Sequence, residues 1–433
     1  MNILIKNGRL IDPYNNIDGK MDILISNGVV AKVSENIADN NVDKIIDANN
    51  MWVTPGLIDL HVHLREPGYE HKETIATGTR SAVMGGFTSI CCMPNTRPVT
   101  DNQILVEYIQ MKAEREGVCR VLPIGAITVG QKGETLAEIG KMAKAGACAI
   151  SEDGFTVENA SLMKTAIKYA EMFNIPVFSH CEDVDLAGGS MNAGDTATKL
   201  GLKGISNESE DVIVSRDIIL ADSLKAPIHL CHISTKGSVD LIKDAKARGS
   251  KVTAEATPHH FTLVDEDITE YDGNFKMNPP LRSTQDRAAI IEALKNDTIQ
   301  VIATDHAPHH IDEKNCEFER ALNGIVGLET ALSLSISELV EKGVLTPSKM
   351  IEKFTKNPAE ILKRKDLGHL SVGNNADVII IDPNVKYKVN IENFASKSKN
   401  SPFNNREVTG KVLYTLVGGK IIVENGQLRE EFK

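Results

Sequence analysis

Between residues 54 and 363, short apolar runs alternate with amphipathic stretches, and few architectures accommodate that rhythm. The strand-like runs cover 57–63, 87–93, 119–127, 148–153, 176–180, 227–232, 251–256 and 300–305. Helix-period stretches lie between them at 74–84, 102–116, 136–145, 159–173, 208–223, 237–248 and 286–296. Apolar strands separated by helices belong in a parallel sheet covered on both faces. Eight such strands predict an α/β fold, a (β/α)8 TIM barrel. An open doubly wound sheet is the competitor, but no Gly-x-Gly-x-x-Gly follows the first strand.

The two ends have a different texture. Residues 3–5, 22–25 and 29–33 are short β-type runs, with hairpin turns predicted at Asn7-Gly8 and Asn27-Gly28. Residues 376–382 and 411–423 look the same. Either end alone would have little core, so the two are predicted to pair into one small β-sandwich domain. The expected organisation is 1–53 and 364–433 for that domain, with the barrel at 54–363.

Charge narrows the function classes. The net charge is −11 and no basic cluster offsets it, which argues against nucleic acid or acidic membranes as partners. No apolar run approaches the ~18 residues of a membrane span, and the polar start lacks a secretory segment. A cytoplasmic enzyme acting on a small molecule is expected. The seven cysteines lack zinc-ribbon spacing and suit reduced, mostly buried thiols. Strand alternation turns Cys231 away from the face that carries His232.

The chemistry concentrates at strand ends. In the first strand a period of two puts Asp59, His61 and His63 on one face and Leu60, Val62 and Leu64 on the other. Asp153, His180, His232 and Asp305 close the fourth, fifth, sixth and eighth strands. A barrel gathers such positions on its C-terminal rim. Four imidazoles and two carboxylates form a mixed N/O set suited to Zn²⁺ or a similar ion. The set is too large for one four-coordinate ion and sufficient for two if a carboxylate bridges them. Asp153 is chosen over Glu152, whose side chain should leave the strand on the opposite side. Asp305 is expected both to bind metal and to act as general acid/base. Arg65, just past the first strand, is placed to grip a carboxylate.

The remaining histidines carry weaker signals. His229 lies three residues before His232 and is expected under a helix. One of His259 and His260 is expected to support the site from behind. His71, His306, His310 and His369 are expected to face solvent or support loops. The loop at 66–73 is expected beside the mouth, part of it covering bound substrate.

Two long motifs, Asp59-Leu60-His61-Val62-His63-Leu64-Arg65-Glu66-Pro67 and Ala303-Thr304-Asp305-His306-Ala307-Pro308-His309 continuing to Lys314, resemble the signatures of dihydroorotases. The stretches 68–74, 93–96, 151–154 and 276–282 resemble the bacterial class I branch of that family, within the amidohydrolase superfamily. The resemblance covers essentially the whole chain. It implies interconversion of N-carbamoyl-L-aspartate and (S)-dihydroorotate in pyrimidine biosynthesis. It further implies two Zn²⁺ ions per subunit, bridged by Asp153 and a hydroxide that attacks the ring carbonyl. Asn95 and His309 would join Arg65 in holding the substrate carboxylate, with His63 beside them. Asn278 would contact the ring, and the backbone around Asn323 and Gly324 would complete the contacts. Many amidohydrolases bridge their metals with a carboxylated lysine on strand four, whereas this chain has Asp153 there.

Two alternatives stand beside that expectation. Another cyclic amidohydrolase, a hydantoinase, dihydropyrimidinase or allantoinase, would share the metal set, but the first two act on substrates without the ring carboxylate that Arg65 suits. A non-catalytic assembly partner of aspartate transcarbamoylase would typically have lost metal ligands, and this chain keeps all six. The resemblance also implies a homodimer and possible association with aspartate transcarbamoylase.

Overall fold

The structure is a computed structural model that describes residues 1–38 and 42–433. Eight parallel strands form the barrel: β1 (Leu57–Val62), β2 (Phe87–Cys92), β3 (Arg120–Ala126), β4 (Ala149–Ser151), β5 (Val177–Ser179), β6 (Ile228–Leu230), β7 (Val252–Ala256) and β8 (Val301–Ile302). The ring closes where Val62 bridges His306 in parallel and the His63 amide donates to the His306 carbonyl at 2.8 Å. Backbone pairing is sparse there, and Asp59 reinforces it. Its carboxylate accepts from the Thr304 amide at 3.1 Å and hydroxyl at 2.6 Å, tying β8 to β1.

Helices α1 (Ile75–Met84), α2 (Gln103–Glu116), α3 (Ile139–Lys144), α4 (Ala160–Met172), α5 (Glu208–Leu224), α6 (Lys236–Ala247) and α7 (Thr284–Lys295) surround the strands. Thr74, Asn102, Asn159, Thr235 and Ser283 cap five of them by accepting from first-turn amides. Each such cap contributes about 1 kcal/mol and fixes where a loop becomes a helix. Pro347–Phe354 fills the eighth helical place.

Inward residues of the strands, including Ile58, Leu60, Cys91, Ile124, Phe178, Cys231 and Val301, pack the barrel interior. Outward ones such as Leu57, Ile90, Val177, Leu230 and Ala254 meet the helices. The first strand departs from strict alternation. A register shift between Asp59 and Val62 lets Leu60 join the interior while Val62 joins the helix layer, so the two do not share a face.

Both chain ends enter one nine-stranded sheet, the β-sandwich domain. Trp52–Pro55 pairs antiparallel with Val378–Lys388, in the register Val53 to Ile380. Val378 and Ile380 pack into the domain's own core, while Ile379 and Ile381 pack toward the barrel helices. Two covered faces explain why four consecutive apolar residues are all buried. Asn27-Gly28 makes the expected hairpin turn, with both residues at positive φ. Asn7-Gly8 does not. It lies inside the strand Asn2–Asp12 at a bulge, where a Cβ on Gly8 would stand 2.4 Å from Val53 Cγ2. No helix among the described residues is long and apolar enough to cross a membrane.

Candidate metal centre and substrate pocket

The six ligand-type residues meet on the C-terminal rim, all buried. Asp153 lies at their centre. Its Oδ1 is 3.1 Å from His61 Nε2, 3.6 Å from His232 Nε2 and 3.8 Å from His180 Nδ1, and its Oδ2 is 3.5 Å from His63 Nε2. One carboxylate thus faces four imidazoles carried by three strand ends. Asp305 Oδ1 is 3.1 Å from His63 Nε2 and 3.5 Å from His61 Nε2. Glu152 points away and accepts from the backbone amides of Ile127 and Thr128.

Three of the rings are held from behind. His61 Nδ1 is 2.7 Å from Glu255 Oε1, His63 Nδ1 is 2.9 Å from Asn95 Oδ1, and His180 Nε2 is 3.3 Å from Glu182 Oε2. Such acceptors take the ring N–H and turn the other nitrogen's lone pair toward the centre. Among the described residues, His61 Nε2 and His232 Nδ1 are buried with no hydrogen-bond partner. His180 Nδ1 and His232 Nε2 approach to 2.9 Å. His61, Asp153 and His232 form one trio whose ligand atoms lie within 4.8 Å of one another, and His61, His63 and Asp305 form another. Inward lone pairs, unpartnered nitrogens and central carboxylates are what a borderline divalent cation requires, so the residues present fit a metal.

Electrostatics keep the centre anionic. Burial alone would raise the Asp153 carboxyl, but the electrostatic influence of the surrounding imidazoles, His61 foremost, holds it well below the usual range. Asp305 is lowered in the same way, burial being outweighed by His61 and His63. Glu255 falls to about 2, since His229 and His61 overcome the cost of its burial.

Several rim residues sit where strand counting does not put them. β6 ends at Leu230, and His232 follows at φ 32°, so parity does not carry through to it. His229 consequently points into the barrel rather than under a helix, 2.9 Å from Glu255 Oε2 and 4.8 Å from the Phe178 ring. Cys231 also faces inward, where it forms a close trio with His61 and Glu255 instead of pointing away from the site. β7 ends at Ala256, and the two following histidines lie on a short helix, Pro258–Thr262. His260 bonds Thr257 Oγ1 and the Pro279 carbonyl, while His259 Nε2 is buried without a partner among the described residues. His71 and His310 are exposed, whereas buried His306 and His369 hold loops.

The expected substrate residues line the adjoining wall. Arg65, at φ 61°, donates from Nε to the Pro308 carbonyl at 3.1 Å, and its Nη2 lies 3.3 Å from His309 Nε2. Asn95 is engaged with His63 and reaches Asp153 Oδ2 at 3.3 Å. Asn278 donates to Glu182 at 2.9 Å, and its Oδ1 has no partner among the described residues. The Asn323 carbonyl is 2.8 Å from His309 Nε2. Gly324, at φ 128°, passes so near Ala307 that a Cβ would stand 2.5 Å from the alanine methyl. Its amide donates to the Lys276 carbonyl.

Four supporting residues are not predicted from the sequence. Glu255 and Glu182 orient the ligand histidines as described. Lys314 donates to the carbonyls of Lys276, Leu322 and Gly324 at 2.7–3.0 Å, clamping the pocket loop. Lys72 lies 3.4 Å from His309 Nδ1. A carboxylate inside an apolar strand and lysines inside a signature motif were the available signals, since such groups are rarely buried unpaired. The polar loop at 66–73 is also anchored more firmly than its composition suggests. Glu73 is fully buried and accepts from Thr77, Ser396 and the Lys397 amide.

Comparison with known proteins gives this geometry a family. A family model described as dihydro-orotase-like matches residues 51–238. The chain is 53% identical over 422 residues to a dihydroorotase from Acetivibrio thermocellus, covering 97% of this chain and 99% of that one. It is 52% identical over 423 residues to a dihydroorotase from Geobacter metallireducens, covering 98% and 99%. The chain belongs to the dihydroorotase family. It is accordingly an enzyme of the cyclic amide hydrolase class. Among solved structures, the L-hydantoinase (dihydropyrimidinase) from Arthrobacter aurescens superposes with a TM-score of 0.90 at 26% identity, covering 99% of this chain and 97% of that one. This chain and that hydantoinase thus share one fold over nearly their full lengths.

Proposed function

We propose that this chain interconverts N-carbamoyl-L-aspartate and (S)-dihydroorotate, using two Zn²⁺ ions held by His61, His63, Asp153, His180, His232 and Asp305. The observation that carries the reading is the single Asp153 carboxylate faced by four buried imidazoles, beside a guanidinium with no carboxylate partner among the described residues. When bound, the ions supply Lewis acidity toward the amide carbonyl and make water more acidic near neutral pH.

The chain's own residues do the rest. Asp153, with both oxygens turned to imidazoles, would hold the ions together with the four histidines. Asp305 is an ionised carboxylate at the rim. It accepts the nucleophile's proton and returns it to the leaving ring nitrogen; in the closing direction it deprotonates the attacking amide. Arg65 pairs with the substrate carboxylate, and His309 and Asn95 flank it. Asn278 and the Asn323–Gly324 backbone border the ring. Hydantoin and dihydropyrimidine rings lack that carboxylate, so Arg65 favours dihydroorotate over them. On the family resemblance, the proposal extends to a cytoplasmic homodimer that can associate with aspartate transcarbamoylase.

The test is metal content and dihydroorotate hydrolysis measured on one chelator-treated and reconstituted sample. Activity should vanish and return with about two ions per chain. Metal-independent turnover, or turnover of hydantoin but not dihydroorotate, would overturn the reading. A metal-free, inactive protein that binds aspartate transcarbamoylase would identify a scaffold instead.

A further inference from the structure

Resting on that reading of the substrate, we propose that Lys72 is a positioning residue for the carboxylate end of the pocket. Its ammonium fixes His309 as the Nε2–H tautomer, so that His309 presents one defined donor beside Arg65.

The distances around the ring decide the tautomer. His309 Nε2 lies 2.8 Å from the Asn323 carbonyl oxygen, a separation that needs a proton between the two atoms. Burial disfavours a charged His309, and the nearby Arg65 and Lys72 charges disfavour it further. A neutral imidazole has a single N–H, so Nδ1 carries a lone pair. The Lys72 ammonium is the donor that faces it, at 3.4 Å. Lys72 is itself buried and anchored by Glu313 Oε1 at 2.9 Å.

The opposite tautomer fits poorly. It would aim Nδ1–H at Glu313 Oε2, 3.5 Å away, and receive the Arg65 Nη2 donor at 3.3 Å. It would also press an Nε2 lone pair against the Asn323 carbonyl at 2.8 Å. The shortest contact is the one it makes repulsive. With Lys72 in place, Arg65 Nη2 and His309 Nε2–H are two donors facing one space, which an incoming carboxylate can take over from Asn323. Without Lys72, Glu313 is free to draw the proton to Nδ1, leaving a lone pair facing the substrate anion.

Nitrogen-15 NMR of the histidine side chains in the zinc-loaded protein reads the tautomer directly, with His309→Asn assigning the signals. The parent should show a pyridine-like Nδ1 and a pyrrole-like Nε2. In Lys72→Met the two nitrogens should move toward averaged shifts, while KM for dihydroorotate rises about tenfold, with kcat and zinc content little changed. Lys72→Arg, which keeps a charged donor, should restore most of both. A parent His309 protonated on Nδ1 or on both nitrogens, or a Lys72→Met protein with unaltered KM, would overturn the assignment. If Lys72→Met does not fold, the parent spectrum and the arginine variant still decide. Absence of dihydroorotate turnover in the parent would instead count against the substrate reading, and the nitrogen shifts would stand by themselves.

Discussion

The sheet made by the chain ends and the rim of the barrel use the same unusual backbone angle on opposite kinds of residue. Among the described residues of the sheet and its turns, the non-glycine residues at positive φ are all asparagines: Asn7, Asn16, Asn27, Asn50, Asn405 and Asn425. Asparagine enters that region at little cost because its side chain bonds locally. At the rim the residues are Arg65 at 61°, His232 at 32° and Asp305 at 49°. Their side chains bond residues remote in sequence instead, Arg65 the Pro308 carbonyl, His232 His180 and Asp305 His63, and for Arg65 the conformation costs about 1–2 kcal/mol. The sheet solves a folding problem with the residue best suited to each turn. The rim keeps the residue its chemistry requires and tolerates the strain.

The sharpest way to break that contrast is at Asp305. Asp305→Asn should retain the fold by circular dichroism and lower kcat by about 10²–10⁴. Turnover near the parent value would show that the positive φ there serves packing alone. Arg65 separates strain from chemistry within one residue. Arg65→Ala should raise KM for dihydroorotate by roughly 10–100-fold with metal still bound, as expected for losing a charged hydrogen-bonded pair. Arg65→Gly should bind as poorly yet resist denaturant better than the alanine variant by about 1 kcal/mol, since glycine relieves the positive φ. Equal stability of the two would remove the strain argument.

Glu255 tests whether the rim depends on what lies beneath it. Glu255→Gln should weaken zinc binding by about 10–100-fold in a chelator competition. Unchanged affinity would mean that His61 needs no support from below. The smallest effect belongs to the sheet. Asn27→Ala, at a hairpin turn far from the chemistry, should cost about 1 kcal/mol of stability and leave kcat/KM untouched. A loss of activity there would show that the two regions are not independent.

Much of this is legible in the sequence. The strand–helix rhythm gave the barrel, and ligand-type residues at strand ends gave the rim, because both depend on local periodicity. What escaped depends on closure of the ring. Counting by twos failed at His229 and Cys231 because β6 ends two residues before His232 and the chain then turns. It failed between Leu60 and Val62 because a bulge adjusts the first strand to its neighbour. The tie from Asp59 to Thr304, and the contact of His61 with Glu255, join residues remote in sequence, and no window along the chain contains both partners.

The pairing of Trp52–Pro55 with Val378–Lys388 has a consequence for how the protein comes into being. The segment that leads straight into the first barrel strand has one neighbour in Asn2–Asp12 and finds its other neighbour far later in the sequence, in Val378–Lys388. On the ribosome, Trp52–Pro55 keeps one edge open until Val378–Lys388 has emerged. Slowing release of the C-terminal segment should therefore prolong the period in which the nascent chain depends on chaperones.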